Sequence, residues 1–174
     1  METSKAAPSG YNIDTAILTW RIAVEFVRVE DAFAIYPDVF VHPVNCIGVS
    51  KDILSRQVKK AWPDYFREYT RACIRKKLQP GESLWHEVGE LFGTRFVVAL
   101  PLKFHWQEKI RPDVARLAFA TLIQEICHRQ ISSVAIPVFE GPPDGWIERE
   151  ISRLIDSQVS TSLQTVYLFN SSVE

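Results

Sequence analysis

Val41-His42-Pro43-Val44-Asn45-Cys46-Ile47-Gly48-Val49 is the stretch on which the fold turns. With Val39 and Phe40 ahead of it, it forms a short apolar run interrupted by His42 and Pro43, which predicts a strand over 38–45. Asn45 is a residue type that hydrogen-bonds its own turn after a strand. Downstream, 52–77 is predicted to be helical. Val58, Trp62, Tyr65, Phe66, Tyr69 and Cys73 recur at helical spacing and should face a core. Pro63 suits a first helical turn, so the segment is either one kinked helix or two.

Outward from this centre the pattern alternates strand and helix, which predicts a sheet covered on both faces. Strands are expected over 20–29, 83–88, 95–100 (ended by Pro101), 133–139 and 165–169. Pro80-Gly81 marks a turn. Helices are expected over 112–129 and 146–157. In the first, Val114, Leu117, Ala118, Thr121, Leu122 and Ile126 line one face, and Phe119 and Ile123 widen it. Gly141 to Gly145 reads as a Pro/Gly-rich loop. The expected order is β-β-α-β-β-α-β-α-β, with about six strands.

The chain has 174 residues, enough for one domain with a real core. Residues 1–10 read as a disordered lead-in and 11–174 as a single domain. A formal net charge of −1 excludes a global field toward nucleic acid or anionic membrane, so such binding would need a local patch. Arg56, Lys60, Arg67, Arg71, Arg75, Lys76 and Lys77 are the candidates for one, although Asp64 and Glu68 interrupt them and a solvated helix face fits as well. The 3 Cys are far apart and show no metal-ligand spacing, nor do the 4 His. No metal or cofactor is called for. A reduced, cytoplasmic setting is expected, with no membrane association, because no apolar run approaches spanning length and residues 1–10 lack the apolar core of a signal peptide.

The segment 41–49 resembles the entry of macro domains, which typically read Val-Asn-x-x-Asn-x-x-Gly here. Four further pieces agree in order and spacing. Gln57 through Tyr69 is similar to the first helix of the subfamily that removes ADP-ribose from DNA or proteins. Leu78-Gln79-Pro80-Gly81 leads into a strand as it does there. Leu100-Pro101-Leu102-Lys103-Phe104-His105-Trp106 resembles the lysine-bearing segment of DarG-type antitoxins, which are DNA ADP-ribosyl glycohydrolases. Ser133-Val134-Ala135-Ile136-Pro137 matches the strand before the second phosphate loop. Together these cover roughly residues 21 to 150.

The resemblance implies a three-layer α/β fold with a mixed, mostly parallel sheet, and a cleft at strand C-terminal ends. It implies ADP-ribose, or an ADP-ribosylated substrate such as DNA, as the ligand. It assigns adenine binding to Asp31, distal-ribose contact to Asn45, and catalysis to Lys103 together with Asn45. Flanked by Phe104 and Trp106, the Lys103 amine would lose water and gain nucleophilic character, attacking the anomeric carbon or taking a proton. An ordinary loop lysine snorkelling over aromatics is the other reading. Gly48, Val49, Lys51, Phe139, Gly141 and Gly145 are the ligand-binding positions of the two phosphate loops, and His105, Trp106 and Trp146 are candidate cleft-lining residues.

The chain departs from the family in both loops. Relatives carry a glycine run after the first Gly, where backbone N–H groups hold a diphosphate. Here Ser50-Lys51-Asp52-Ile53 follows, and Asp52 reads as a helix N-cap. In the second loop Pro142 and Pro143 remove two donors, while Glu140 and Asp144 add negative charge. Two readings therefore stand: an ADP-ribosyl hydrolase, or a non-catalytic module serving as an accessory or immunity-type subunit to a protein partner.

Overall fold

The computed structural model describes residues 23–89, 93–158 and 161–170. The expected lead-in and the first residues of the expected 20–29 strand lie outside these. The elements run β1 (Glu25–Val29), β2 (Val39–Asn45), α1 (Ile53–Ala61), α2 (Pro63–Ile74), β3 (Leu84–Glu87), β4 (Phe96–Lys103), α3 (Pro112–His128), β5 (Ser133–Val138), α4 (Trp146–Asp156) and β6 (Thr165–Asn170). They form one six-stranded sheet in the order β1-β6-β5-β2-β4-β3. Every pairing is parallel except β3 with β4. The predicted three-layer architecture is the one observed.

The central strands are apolar on both sides because both faces are covered. Along β2, Val39 and Val41 pack into a core shared with α3 and α4, while Phe40 and Val44 pack into a second core shared with α1 and α2. No helix among the described residues is long and apolar enough to cross a membrane.

Three local expectations are refined. The 52–77 helix is two helices, parted at Trp62, whose φ of −131° and ψ of 73° are not helical. Arg56 and Lys60 therefore stand on a different helix from Arg67 and Arg71, with Arg75 at the C-cap of the second, so these residues do not share one helical face. β4 runs through Pro101 instead of ending there. Its pairing with β3 stops at Ala99, so a residue beyond that point need not donate on that side. On α3 the buried face is Ala115, Ala118, Phe119, Leu122, Ile123 and Ile126. Leu117, expected inside, is 57% exposed. It lies instead over the Pro80-Gly81 turn, where Gly81 has φ +93° and an added Cβ would come within 2.6 Å of the leucine side chain.

Candidate functional site

Because β5, β2 and β4 are adjacent and parallel, their C-terminal ends open on one edge of the sheet. A cleft of about 950 Å³ sits there, and among its lining residues are Asn45, Val49, Lys51, Asp52, Lys103, Trp106, Phe139 and Gly141. Ligand clefts of open α/β sheets form at this edge. A smaller hollow of about 510 Å³ adjoins it across Leu54, which lines both. Asp31, Phe33, Gln57, Lys60, Phe169 and Asn170 line the hollow.

Lys103 and Asn45 face each other across the β2–β4 ladder. Val44 pairs with Pro101, but Asn45 pairs with Lys103, so Leu102 is an extra residue and β4 carries a bulge. Bulges re-aim side chains in this way. The backbone at this point is held from both neighbours: Cys46 N donates to Phe104 O at 2.9 Å, and the Tyr69 hydroxyl donates to Asn45 O at 2.8 Å.

The Asn45 side chain works largely within its own loop. Its Oδ1 accepts from the N–H groups of Ile47 and Gly48, each at 3.1 Å, and its Nδ2 donates to Val49 O at 2.7 Å. Nδ2 carries a second hydrogen besides the one given to Val49. Gly48 does not line the cleft. It makes the turn, with φ +76°, and an added Cβ would meet Cys73 Cβ at 3.2 Å. The thiol of neighbouring Cys46 is pushed up to about 12, by burial and then by Cys73, Glu82 and Glu108, so it stays protonated.

Asp52 caps α1, accepting from Ser55 N at 2.7 Å and from the hydroxyls of Ser50 and Ser55. Burial raises its pKa, but these hydrogen bonds and nearby His42 more than offset that and hold it below the usual carboxylate range. Behind it lies a buried chain that the sequence reading passed over. His42 Nε2 is 2.8 Å from Ser55 Oγ, and Nδ1 is 2.9 Å from the Tyr65 hydroxyl. Ser55 Oγ also lies 2.9 Å from Ser50 Oγ and from Asp52 Oδ2. A Ser55 proton given to the Asp52 carboxylate leaves the Ser55 oxygen to accept from His42 Nε2–H, with Nδ1 then accepting from Tyr65. Burial lowers the imidazole pKa from 6.5 to about 4 against the opposing pull of Asp52, so the ring is neutral at pH 7. A histidine inside the apolar run of β2 was the available signal.

Lys103 is half-buried, and its ammonium donates to Trp106 O at 2.8 Å. The flanking aromatics do not enclose it: Phe104 and Trp106 are 48% and 51% exposed. His105 lies beside the Trp106 ring, with centroids 5.5 Å apart, and does not itself line the cleft. Trp146 is also elsewhere, packed edge-on against Phe119 in the core at 5.6 Å, because it opens the inward face of α4. Gly145 is the left-handed N-cap of that helix, outside the cleft lining. Asp31 lies in the adjoining hollow, where its Oδ1 accepts from Phe33 N at 2.9 Å. Lys109, Glu108 and Ile110, which the sequence reading did not single out, also line the cleft.

Comparison with known proteins agrees with this fold. A family model for the macro domain matches residues 41–141. A DNA ADP-ribosyl glycohydrolase of Mycobacterium tuberculosis is 30% identical over 100 residues, and one of Thermus aquaticus is 29% identical over 100 residues. Each match takes in 58% of this chain but only 28% of the relative's length. Among solved structures, the macrodomain of Mycobacterium tuberculosis DarG superposes with a TM-score of 0.74 at 24% identity, covering 83% of this chain and 97% of that one. Thermosipho africanus DarTG in complex with ADP-ribose gives 0.69 at 18% identity, covering 86% of this chain and 42% of that one. These structural likenesses are ones of fold. With the family model spanning more than half its length, from β2 to the loop after β5, the chain belongs to the macro domain family.

Proposed function

We propose that this protein binds ADP-ribose and hydrolyses an ADP-ribosyl bond, with DNA as the carrier of the ADP-ribosyl group. The observation that carries the reading is the pairing of Lys103 with Asn45 at the mouth of the cleft, produced by the bulge at Leu102. The adjoining hollow suits adenine: it offers the Asp31 carboxylate as an acceptor for an exocyclic amine and the aromatic sides of Phe33 and Phe169. The diphosphate then crosses Leu54 into the cleft, between Lys51 on one wall and Gly141 on the other. Lys51 contributes a flexible point charge to this grip.

At the reacting end, the free Nδ2 hydrogen of Asn45 orients the distal ribose. Having lost a proton to solvent, the Lys103 amine leaves the Trp106 carbonyl and either attacks the anomeric carbon, expelling the carrier's group, with water later displacing the amine, or takes the proton of a water that attacks there as the bond to the carrier breaks. The relatives' activity as DNA ADP-ribosyl glycohydrolases supports the choice of linkage.

Calorimetric titration with ADP-ribose tests the binding step. Micromolar affinity, lost in Asp31→Ala, is expected. Lys103→Ala should then lower turnover of an ADP-ribosylated oligonucleotide by about 100-fold or more while the protein stays folded. No heat at millimolar ADP-ribose would overturn the reading and leave the non-catalytic module, for which partner capture would be the next experiment.

A further inference from the structure

The β2–β4 ladder sets the backbones of Asn45 and Lys103 opposite each other, but the Lys103 side chain is placed by the turn that follows β4. One residue closes that turn twice. Glu108 N donates to His105 O at 3.1 Å, the bond from first to fourth residue of a β-turn. The Glu108 carboxylate also reaches back, accepting from Phe104 N at 3.0 Å and from His105 N at 3.2 Å. Inside the turn, Gln107 N donates to His105 Nδ1 at 3.3 Å.

The Trp106 carbonyl, which holds the Lys103 ammonium at 2.8 Å, belongs to the central peptide of this turn, so closing the turn fixes where that carbonyl points. Phe104, the residue after the lysine, is gripped at both its backbone groups: the N–H by Glu108, and the carbonyl by Cys46 N at the end of β2. Glu108 therefore holds both the main chain beside Lys103 and the acceptor to which the amine is tethered. Core packing does not take its place, because Phe104 and Trp106 are exposed and belong to neither hydrophobic core. Hydrogen bonds from N–H groups to a carboxylate are also the stronger kind. Without them the turn would keep only its first-to-fourth bond and the weak contact to His105 Nδ1.

We propose that Glu108 is the positioning residue of Lys103: its carboxylate holds the 103–108 turn closed and so sets the amine at the mouth of the cleft, opposite Asn45. Glu108 lines the cleft, but its bonded oxygen is directed at the backbone, so it acts through the lysine. A reacting group displaced by about 1 Å can lose about 100-fold in rate, which gives the turn its leverage. The consequence for turnover rests on the function proposed above; the tether itself does not.

Two measurements on the intact protein test this. Acylation of Lys103 by a water-soluble amine-reactive ester, quantified by mass spectrometry after digestion, reads the tether without substrate. Glu108→Ala should raise the Lys103 labelling rate about fivefold, the effect of losing one hydrogen bond. Glu108→Gln should label like wild type, because the amide oxygen can accept the same two bonds. Glu108 is exposed, so neither variant removes core packing. Turnover of an ADP-ribosylated oligonucleotide reads the consequence. Glu108→Ala should lower kcat about tenfold or more, with KM and the ADP-ribose Kd nearly unchanged, and Glu108→Gln should recover most of the loss. Over Lys103→Ala, the Glu108→Ala change should cost almost nothing further, because residues that act as one unit are not additive. If Glu108→Gln behaves like Glu108→Ala, charge and not hydrogen bonding is at work and the proposal is overturned. It is overturned equally if Glu108→Ala leaves the labelling rate unchanged, leaves kcat of an active wild type unchanged, or adds its loss in full to that of Lys103→Ala. If labelling follows Glu108 but the wild type shows no turnover, the tether stands and the hydrolase reading falls. Turnover that needs Lys103 and ignores Glu108 would mean the reverse.

Discussion

The wall that follows β2 and the wall that follows β5 close on the same cleft by different means. In the first, Asn45 satisfies three backbone groups of residues 47–49, Asp52 gathers Ser50 and Ser55, and His42 and Tyr65 brace Ser55 from the core. In the second, the described hydrogen bonds cluster where the chain enters α4: Trp146 N to Pro143 O at 3.0 Å and an Arg149 guanidinium N–H to Asp144 O at 3.2 Å. The first wall is shaped by polar groups turned inward, the second by the fixed φ of Pro142 and Pro143. Rigidity reached through buried hydrogen bonds is cooperative and sensitive to a single deletion. Rigidity reached through proline acts largely on the unfolded chain and is lost in small steps.

The largest test of that contrast is His42→Ala. It leaves the Tyr65 and Ser55 hydroxyls buried without a common partner and opens a cavity, so urea unfolding should show a loss of about 3–5 kcal/mol. Pro143→Ala should cost less than about 1 kcal/mol in the same assay. Comparable losses in the two variants would break the comparison.

Next in size is the pH dependence. His42 binds its proton more weakly folded than unfolded, its pKa falling from 6.5 to about 4. The contribution is thus fully present above pH 6.5 and is lost as pH falls toward 4. At about 1.4 kcal/mol per pH unit it amounts to about 3 kcal/mol. Asp52 titrates lower still, so its contribution is present above the ordinary carboxylate value and lost below it. Denaturation followed from pH 7 to pH 4 should show this fall, and a flat profile would remove His42 from the first wall's bracing.

A smaller effect concerns the cap. Asp52→Ala should destabilise by about 1 kcal/mol through loss of the α1 N-cap. Asp52→Asn keeps a capping oxygen and removes the charge facing the cleft. If the carboxylate's charge opposes a phosphate in the cleft, calorimetry should show tighter ADP-ribose binding by a few-fold in Asp52→Asn. Weaker binding would mean that the carboxylate organises the wall for the ligand instead of opposing it.

Much of the architecture was legible in sequence because it rests on local rules. The apolar run of β2, the proline at the start of α2 and α3, and the Pro80-Gly81 turn each act within a few residues. Leu117 misled because periodicity finds an apolar stripe without knowing which part of it a neighbouring turn will claim. Trp146 misled likewise: a tryptophan beside a glycine-rich loop can face cleft or core, and the inward face of α4 decided it.

For the site, sequence by itself determined the residue types available, among them Asn45 at a strand end, Lys103 amid aromatics, and Asp52 before a helix. Only the tertiary structure decided how they meet. The bulge at Leu102 sets Lys103 opposite Asn45, and long-range contacts of Tyr69 and Phe104 hold that register. His42 became part of a chain of hydrogen bonds because α1 and α2 brought Ser55 and Tyr65 to its two nitrogens. The physical reason is common to both. A buried polar group must find partners wherever packing places them, and packing brings together residues far apart in the chain, beyond the reach of any local pattern.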